Sequence, residues 1–330
     1  YDAVGRLRQV VGPTGGRTST LYDEAGRPVA EVSPTGSVTE RVFDDANRVV
    51  RTIQYANLGR NLTALQADID AGTQAVGLST VRPLLDSAND RNVWTLYDAA
   101  GRAAKVVDAT GHVTESLFDG AGRVTSTIRY NTPLLATQRA AITVNTRPAS
   151  ETVTPVRDAA KDRTTRHFHD GADRLLGTLD AEGALQTFEY DAAGRLIHRH
   201  AFFEYVKAEL RGAATLDALK PARNARDVHE WTLYDGRDQK IAEIDGEGRF
   251  IEHTYDANGN QTTSKRAFAP ARIAPQDIAA SHTIDDLRPA ANNAGDQVVR
   301  RTYTDLNQLE TETDTSGTVT RHQYDQVGNR

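Results

Sequence analysis

Residues 97–123 read YDAAGRAAKVVDATGHVTESLFDGAGR, and this stretch decides the fold. It opens on an aromatic-Asp-x-x-Gly-Arg motif (Tyr97, Asp98, Gly101, Arg102) and closes on a second copy (Phe118, Asp119, Gly122, Arg123) that begins 21 residues later. Glycine tolerates the positive φ that a side chain resists, and an Asp three residues before it can accept hydrogen bonds from the amides of its own turn. Each motif is therefore a turn with one left-handed position. Midway between the copies, Asp108 and Gly111 frame a second turn of the Asp-x-x-Gly kind. Two four-residue turns in one period leave room for two strands of six or seven residues, and the intervening residues are rich in Val, Thr and aromatics without a 3.6-residue period. The unit is a β-hairpin.

Outward from this stretch the motif recurs at Tyr1 (with Asp2, Gly5, Arg6), Tyr22 (Asp23, Gly26, Arg27), Phe43 (Asp44, Asn47, Arg48), Tyr190 (Asp191, Gly194, Arg195), Tyr255 (Asp256, Gly259) and Tyr324 (Asp325, Gly328). Looser copies start at His169, at Tyr234 with Asp235, and at Tyr303, giving eleven in all. Where the fourth position is not Gly it is Asn47, Asp173, Asp238 or Asn307, the side chains that best tolerate a left-handed backbone. The second turn recurs through Gly15, Gly36, Gly183, Gly248 and Gly317. The residue after the motif Arg is mostly apolar, as in Leu7, Val49 and Val124, and is expected to pack across the turn against the aromatic.

The chain reads as a single continuous array over residues 1–330, broken by four insertions at approximately 54–90, 129–162, 201–227 and 266–296. At their ends, where plain repeats carry the second-turn Gly, stand Asp90, Asp162, Asp227 and Asp296, read as left-handed exit residues of an enlarged turn. Segments starting at Asn61, Thr132, Phe202 and Ala274 are predicted to form short helices with Thr or Asn caps, decorating alternate hairpin tips. Eleven copies imply on the order of twenty antiparallel strands, whereas an open twisted sheet rarely passes ~10 without curling. The run GSVTERVFD alternates Val38, Glu40 and Val42 with Thr39, Arg41 and Phe43, so both faces are expected to carry polar groups, as in a curved wall around a wet interior.

Composition narrows the class of function. The 330 residues carry 39 Lys+Arg against 45 Asp+Glu, a net charge of −6 that argues against a nucleic-acid coat. No apolar run approaches the ~18 residues of a membrane span, and neither a transmembrane helix nor a signal peptide is expected in this segment. Without Cys there are no disulfides or thiolate sites, and without Met the stretch reads as an internal piece of a longer protein.

The Tyr-Asp-x-x-Gly-Arg motif at 21-residue spacing resembles the YD repeat of the Rhs proteins, shared with toxin-complex subunits and teneurins. The resemblance implies a mainly β fold whose hairpins spiral into part of a hollow β-shell. It implies that the shell encloses a polypeptide, usually a C-terminal toxin, for delivery to target cells in settings such as interbacterial competition. The partners expected on that basis are the enclosed polypeptide and a secretion or delivery machinery, and the expected location is secreted or cell-surface. A different class, a cell-surface adhesion or carbohydrate-binding module, is also open because YD repeats occur on surface proteins. An enzyme housed in the insertions ranks last, since they show no clustered acid, base or nucleophile.

No catalytic residue, cofactor site or metal site is expected. His167 with His169 and His198 with His200 form two His-x-His pairs, which on a strand put both rings of a pair on one face, yet neither has a third ligand at a diagnostic spacing. Both pairs are read as strand surface. Asp256–Asn260 has the start of a calcium loop, but Ala267 occupies the position that would need a Glu. The aromatic, Asp, Gly or Asn, and Arg positions of the motif copies are expected to serve as structural repeat residues.

Overall fold

Every one of the eleven fourth positions has a positive φ, from 59° at Asn307 to 89° at Gly259, in the computed structural model of the chain. Residues 1–142, 151, 153–291, 294–325, 328 and 330 are described; the insertion residues 143–150, 152, 292 and 293 and the motif positions 326, 327 and 329 lie outside them. In the turn at Asp98, the Gly101 N–H donates to the Asp98 carbonyl and the Asp98 N–H to the Arg102 carbonyl, both at 2.9 Å. A type I turn closed by a left-handed residue adds one residue to the following strand. Accordingly Leu96 pairs with Lys105 but Tyr97 with Ala103. The same slip precedes the ring in the other paired copies, so the aromatic and the residue after the motif Arg stand opposite each other, as expected. The second-turn glycines are left-handed as well.

The chain divides into two compact units, residues 1–164 and 165–330. The first contains β1 (Gln9–Val11), β2 (Arg17–Tyr22), β3 (Pro28–Val32), β4 (Ser37–Phe43), β5 (Val49–Leu58), β6 (Arg91–Tyr97), β7 (Ala103–Val107), β8 (Val113–Phe118) and β9 (Val124–Arg129). The second contains β10 (Arg163–His169), which starts at the boundary, β11 (Leu175–Leu179), β12 (Leu185–Tyr190), β13 (Leu196–Ala201), β14 (Val228–Tyr234) and β15 (Lys240–Ile244). It continues with β16 (Arg249–Tyr255), β17 (Gln261–Pro270), β18 (Gln297–Tyr303), β19 (Leu309–Thr313) and β20 (Val319–Arg321). Within each unit the strands form an antiparallel meander in which each pairs with the next in the chain. The fold is mainly β.

The insertions stand at alternate hairpin tips, as expected, but they are not mere decoration. Each folds back over one face of the sheet and completes a small apolar core there. Leu65 and Val81 of the first pack with Leu21, Val38 and Ile53; Leu134, Ile142 and Val153 of the second with Trp94, Val107 and Ile128. Val206 and Leu219 of the third cover Leu179 and Leu185, and Ile278 and Leu287 of the fourth cover Trp231, Ile244 and Phe250. Burying a side chain of this size contributes roughly 1.5–3 kcal/mol. Both faces carry polar groups, as expected, but the face of Val38 and Glu40 is covered by the insertion rather than wet, while Thr20, Glu31, Thr39 and Gln54 share the opposite face.

Attachment is the same four times. The N–H of Gly59, Leu134, Val206 and Ala271 donates at 2.8 Å to the carbonyl of Gly36, Gly111, Gly183 and Gly248, the second-turn glycine 23 residues earlier in each case. The exit Asp residues also differ from expectation, since none of the four has a positive φ. They are carboxylate clamps. Asp90 accepts the N–H of Ala56 and of Asp86 at 2.9 Å each, Asp162 those of Asn131 and Asp158 at 2.9 Å, and Asp227 those of Phe203 at 2.9 Å and Asn224 at 3.0 Å. Asp296 takes the N–H of Phe268 at 2.9 Å. In the first three insertions one carboxylate thus closes the neck by holding an amide from each chain end, and in the fourth Asp296 holds the entering strand at Phe268.

The predicted helices are partly formed. α1 (Leu62–Asp70) follows Asn61, but Asn61 sits at φ 51° without a side-chain cap and donates instead to the Thr80 carbonyl at 3.0 Å. A short α2 (Leu78–Val81), not anticipated, lies in the same insertion. α3 (Ala136–Ala140) and α4 (Ile284–Leu287) fall in their predicted segments, the latter with a Thr283–Asp286 capping box. The segment from Phe202 has only two 3-10 turns, Ala208–Leu210 and Asp217–Leu219. Arg211 is pinned to the carbonyls of Ala181 and Val206, and Gly212 follows, so the chain turns away before a helix can extend.

Candidate functional site

The repeat residues form an interlock between successive hairpins. Arg102 Nε donates to Asp98 Oδ2 at 2.7 Å while its guanidinium lies 4.3 Å from the centroid of the Phe118 ring, one motif downstream. Arg6 stands likewise over Tyr22 (4.7 Å), Arg27 over Phe43 (5.0 Å), Arg48 over Tyr97 (4.2 Å), Arg174 over Tyr190 (5.1 Å) and Arg195 over Tyr234 (4.8 Å). Guanidinium over an aromatic face is attractive, and the ion pair to Asp fixes its plane. Four of the Tyr hydroxyls donate to the carbonyl two residues past the previous motif's turn residue: Tyr22 to Leu7 at 2.9 Å, Tyr97 to Val49 at 3.0 Å, Tyr190 to Leu175 at 3.0 Å and Tyr324 to Leu309 at 3.0 Å. Several motif Asp residues, among them Asp98, Asp119 and Asp170, are held below the usual carboxylate range. For Asp119 the chief cause is the Arg123 backbone N–H, followed by the Arg123 side chain.

Beneath three of the insertions an acid recurs, buried at Glu40 and half-buried at Glu115 and Glu252. Glu40 accepts a bidentate pair from Arg82, 2.9 Å at each oxygen, and the Tyr55 hydroxyl at 2.6 Å. Glu115 accepts the Tyr130 hydroxyl, whose pKa burial and that carboxylate push up to about 12, and Glu252 is held by Arg288. In the third insertion the equivalent residue, paired to the second strand in the same register, is Thr187.

There the sheet face carries histidines instead. Period-two alternation places His198 and His200 on one face of β13, and the register sets His198 opposite Trp231 and His200 opposite His229 of β14. The Trp231 ring stacks on His198 with centroids 3.8 Å apart, and His200 lies 4.0 Å from His229. His198 Nε2 and His229 Nδ1 are 3.0 Å apart, Glu189 Oε1 lies 3.2 Å from His198 Nδ1, and Asp227 Oδ2 lies 3.3 Å from His200 Nε2. This pair is not strand surface, for His198 and His229 are 6% and 7% exposed. Burial, then the neighbouring His200 and His198, push His229 down to about 4, so it is neutral at physiological pH. Sequence spacing missed the set because its two halves are joined only by pairing across an insertion. Among the described residues, His200, Asp227 and His229 alone bring three candidate ligand atoms together, within 4.8 Å of one another; His167 and His169 on β10 do not.

These features define a tandem β-hairpin repeat protein. The RHS Repeat family model matches residues 1–38, 97–131 and 156–201, and the chain carries RHS repeats. No curated protein sequence matches it. Among solved structures, the crystal structure of TcdB2-TccC3-TEV is 16% identical over 98% of this chain and 13% of its own, with a TM-score of 0.50. The Photorhabdus luminescens Tc holotoxin pore is 18% identical over 94% of this chain and 12% of its own, with a TM-score of 0.49. The likeness to the first is one of fold, and the chain spans a little over a tenth of the length of either. Among the described residues no helix is long and apolar enough to cross a membrane.

Proposed function

We propose that this segment is a wall element of a cage that encloses a polypeptide cargo, a C-terminal toxin effector, for delivery to target cells. The observation that carries the reading is the interlock, in which the Asp-held Arg of one motif stacks on the ring of the next, so that hairpins extend into a continuous wall. The RHS repeat match and the fold shared with TcdB2-TccC3 support it. The role of the segment is structural, and any toxin or self-cleaving activity lies outside it. On this reading the whole protein is secreted or delivered by a secretion machinery. Electron microscopy of the full-length protein should show a closed hollow body containing density, with the cargo resistant to added protease until the body is opened. An open sheet, a solid rod or a cargo digested at the rate of the free polypeptide would overturn it.

A further inference from the structure

The repeat itself does not require the histidines of the third insertion. In the first insertion the cross-strand positions of His200 and His229 are Ile53 and Asn92, and in the fourth they are Lys265 and Val298. The position of His198 is Arg51, Ser126 or Thr263 in the other three. Four replacements in one place, Thr187 for the acid and three histidines around it, have changed a site for an Arg or a Lys into a cluster of imidazole nitrogens.

The hydrogen-bond order aims one bare lone pair into that cluster. Glu189 Oε1, 3.2 Å from His198 Nδ1 though off the line of a hydrogen bond, favours by its charge a proton on that nitrogen, and with the proton there Nε2 accepts from His229 Nδ1–H. The proton of neutral His229 is thereby placed on Nδ1, and its Nε2 is an acceptor. That atom is buried and has no hydrogen-bond partner. His200 Nε2 lies 3.3 Å from Asp227 Oδ2 but off the line of a hydrogen bond, a spacing close to that of two ligands on one tetrahedral ion, about 3.4 Å for bonds of about 2.0–2.1 Å. Asp227 is already oriented by the Phe203 and Asn224 amides, and the Glu189–His198 contact behind the His229 imidazole is the kind of outer support that metal sites use.

We propose that His200, Asp227 and His229 bind a divalent transition-metal ion with a preference for imidazole nitrogen, zinc foremost, with solvent completing the coordination. Asp227 also closes the neck of the third insertion, so the ion staples that insertion to β13 and β14. Closure requires the ligand atoms, now within 4.8 Å, to draw together by up to about 1.4 Å.

The test titrates Co2+ and then Zn2+ into the tag-free, chelator-treated 330-residue chain. A single equivalent of Co2+ should give a visible d–d band that Zn2+ abolishes, and Zn2+ should raise the melting temperature. His200→Ile and His229→Asn install the residues of the first insertion, so they should fold and melt like the metal-free parent while losing the band and the zinc-dependent shift. His198→Ser, which removes the group that fixes the His229 tautomer, should weaken binding by about 10–100-fold. His169→Tyr, which restores a repeat aromatic elsewhere, should leave binding unchanged. A parent chain with neither band nor shift, or a His229→Asn chain that binds as tightly as the parent, would overturn the proposal.

Discussion

Arg102 stands 4.3 Å over the ring of Phe118, and Asp98 holds it there through a 2.7 Å bond to Nε. The contact joins one motif to the next, so its loss should be felt between hairpins. Exposed guanidinium–ring contacts contribute about 0.5–1 kcal/mol and partly exposed ion pairs about as much at most. Arg102→Ala should therefore lower stability by about 1–2 kcal/mol, and Arg102→Lys should recover little of it because Lys has no planar fork. Denaturant melts of the two variants check this, and a full rescue by Lys would show that charge alone matters.

Gly122 has φ 87°, and a Cβ there would meet only Arg102 Nη1 at 3.7 Å. Space is not the constraint; backbone conformation is. Gly122→Val should cost about 1–3 kcal/mol, while Gly122→Asn should be milder because Asn47 and Asn307 occupy equivalent turns. Equal thermal stability of the two variants would contradict the turn assignment.

The insertions predict a severe phenotype on deletion. Removing residues 56–88 strips Leu65 and Val81 from Leu21, Val38 and Ile53 and takes away Arg82, the bidentate partner of buried Glu40. The shortened chain should lose cooperative melting and bind a hydrophobic dye. Leu65→Ala, a smaller insult to the same core, should cost about 2–5 kcal/mol. A deletion variant that melts like the parent would return the insertions to decoration.

The neck clamp can be tested by one carboxylate. Asp90→Ala frees the amides of Ala56 and Asp86 together and should cost about 1–3 kcal/mol, with faster hydrogen exchange confined to those two amides and their neighbours. Unchanged exchange at Ala56 would remove the clamp from the account.

The motif carboxylates set the acid limit. Asp98 and Asp119 lie below the ordinary range chiefly because the Arg backbone amide of their own turn donates to them, and Asp170 chiefly because of the Arg174 side chain. A carboxylate whose folded pKa is depressed stabilises fully above its unfolded value, about 3.9, and the contribution fades as pH falls through the folded value. Melting temperature should thus stay level with respect to these groups from pH 7 to about pH 5 and fall steeply below about pH 4. Asp119→Asn should make that acid fall shallower.

What the sequence determined by itself was local. A left-handed turn residue and an Asp bonding to amides two and four places on, as at Asp119 with Ala121 and Arg123, are fixed within one motif, so the hairpins, their bulges and the ring-opposite-apolar pairing were legible from Tyr1 to Gly328. Tertiary structure alone decided which face Val38 and Glu40 would turn inward, because the covering residues Leu65, Val81 and Arg82 return from an insertion whose path no period describes. It also made clamps of Asp90 and Asp227, which residue type suggested were turn residues, since a carboxylate shows its role only through the amides brought to it. The same holds for His200 and His229, 29 positions apart in the chain and opposite one another in the sheet: strand register past an insertion is set by pairing and packing, and only that register brings His200, Asp227 and His229 together.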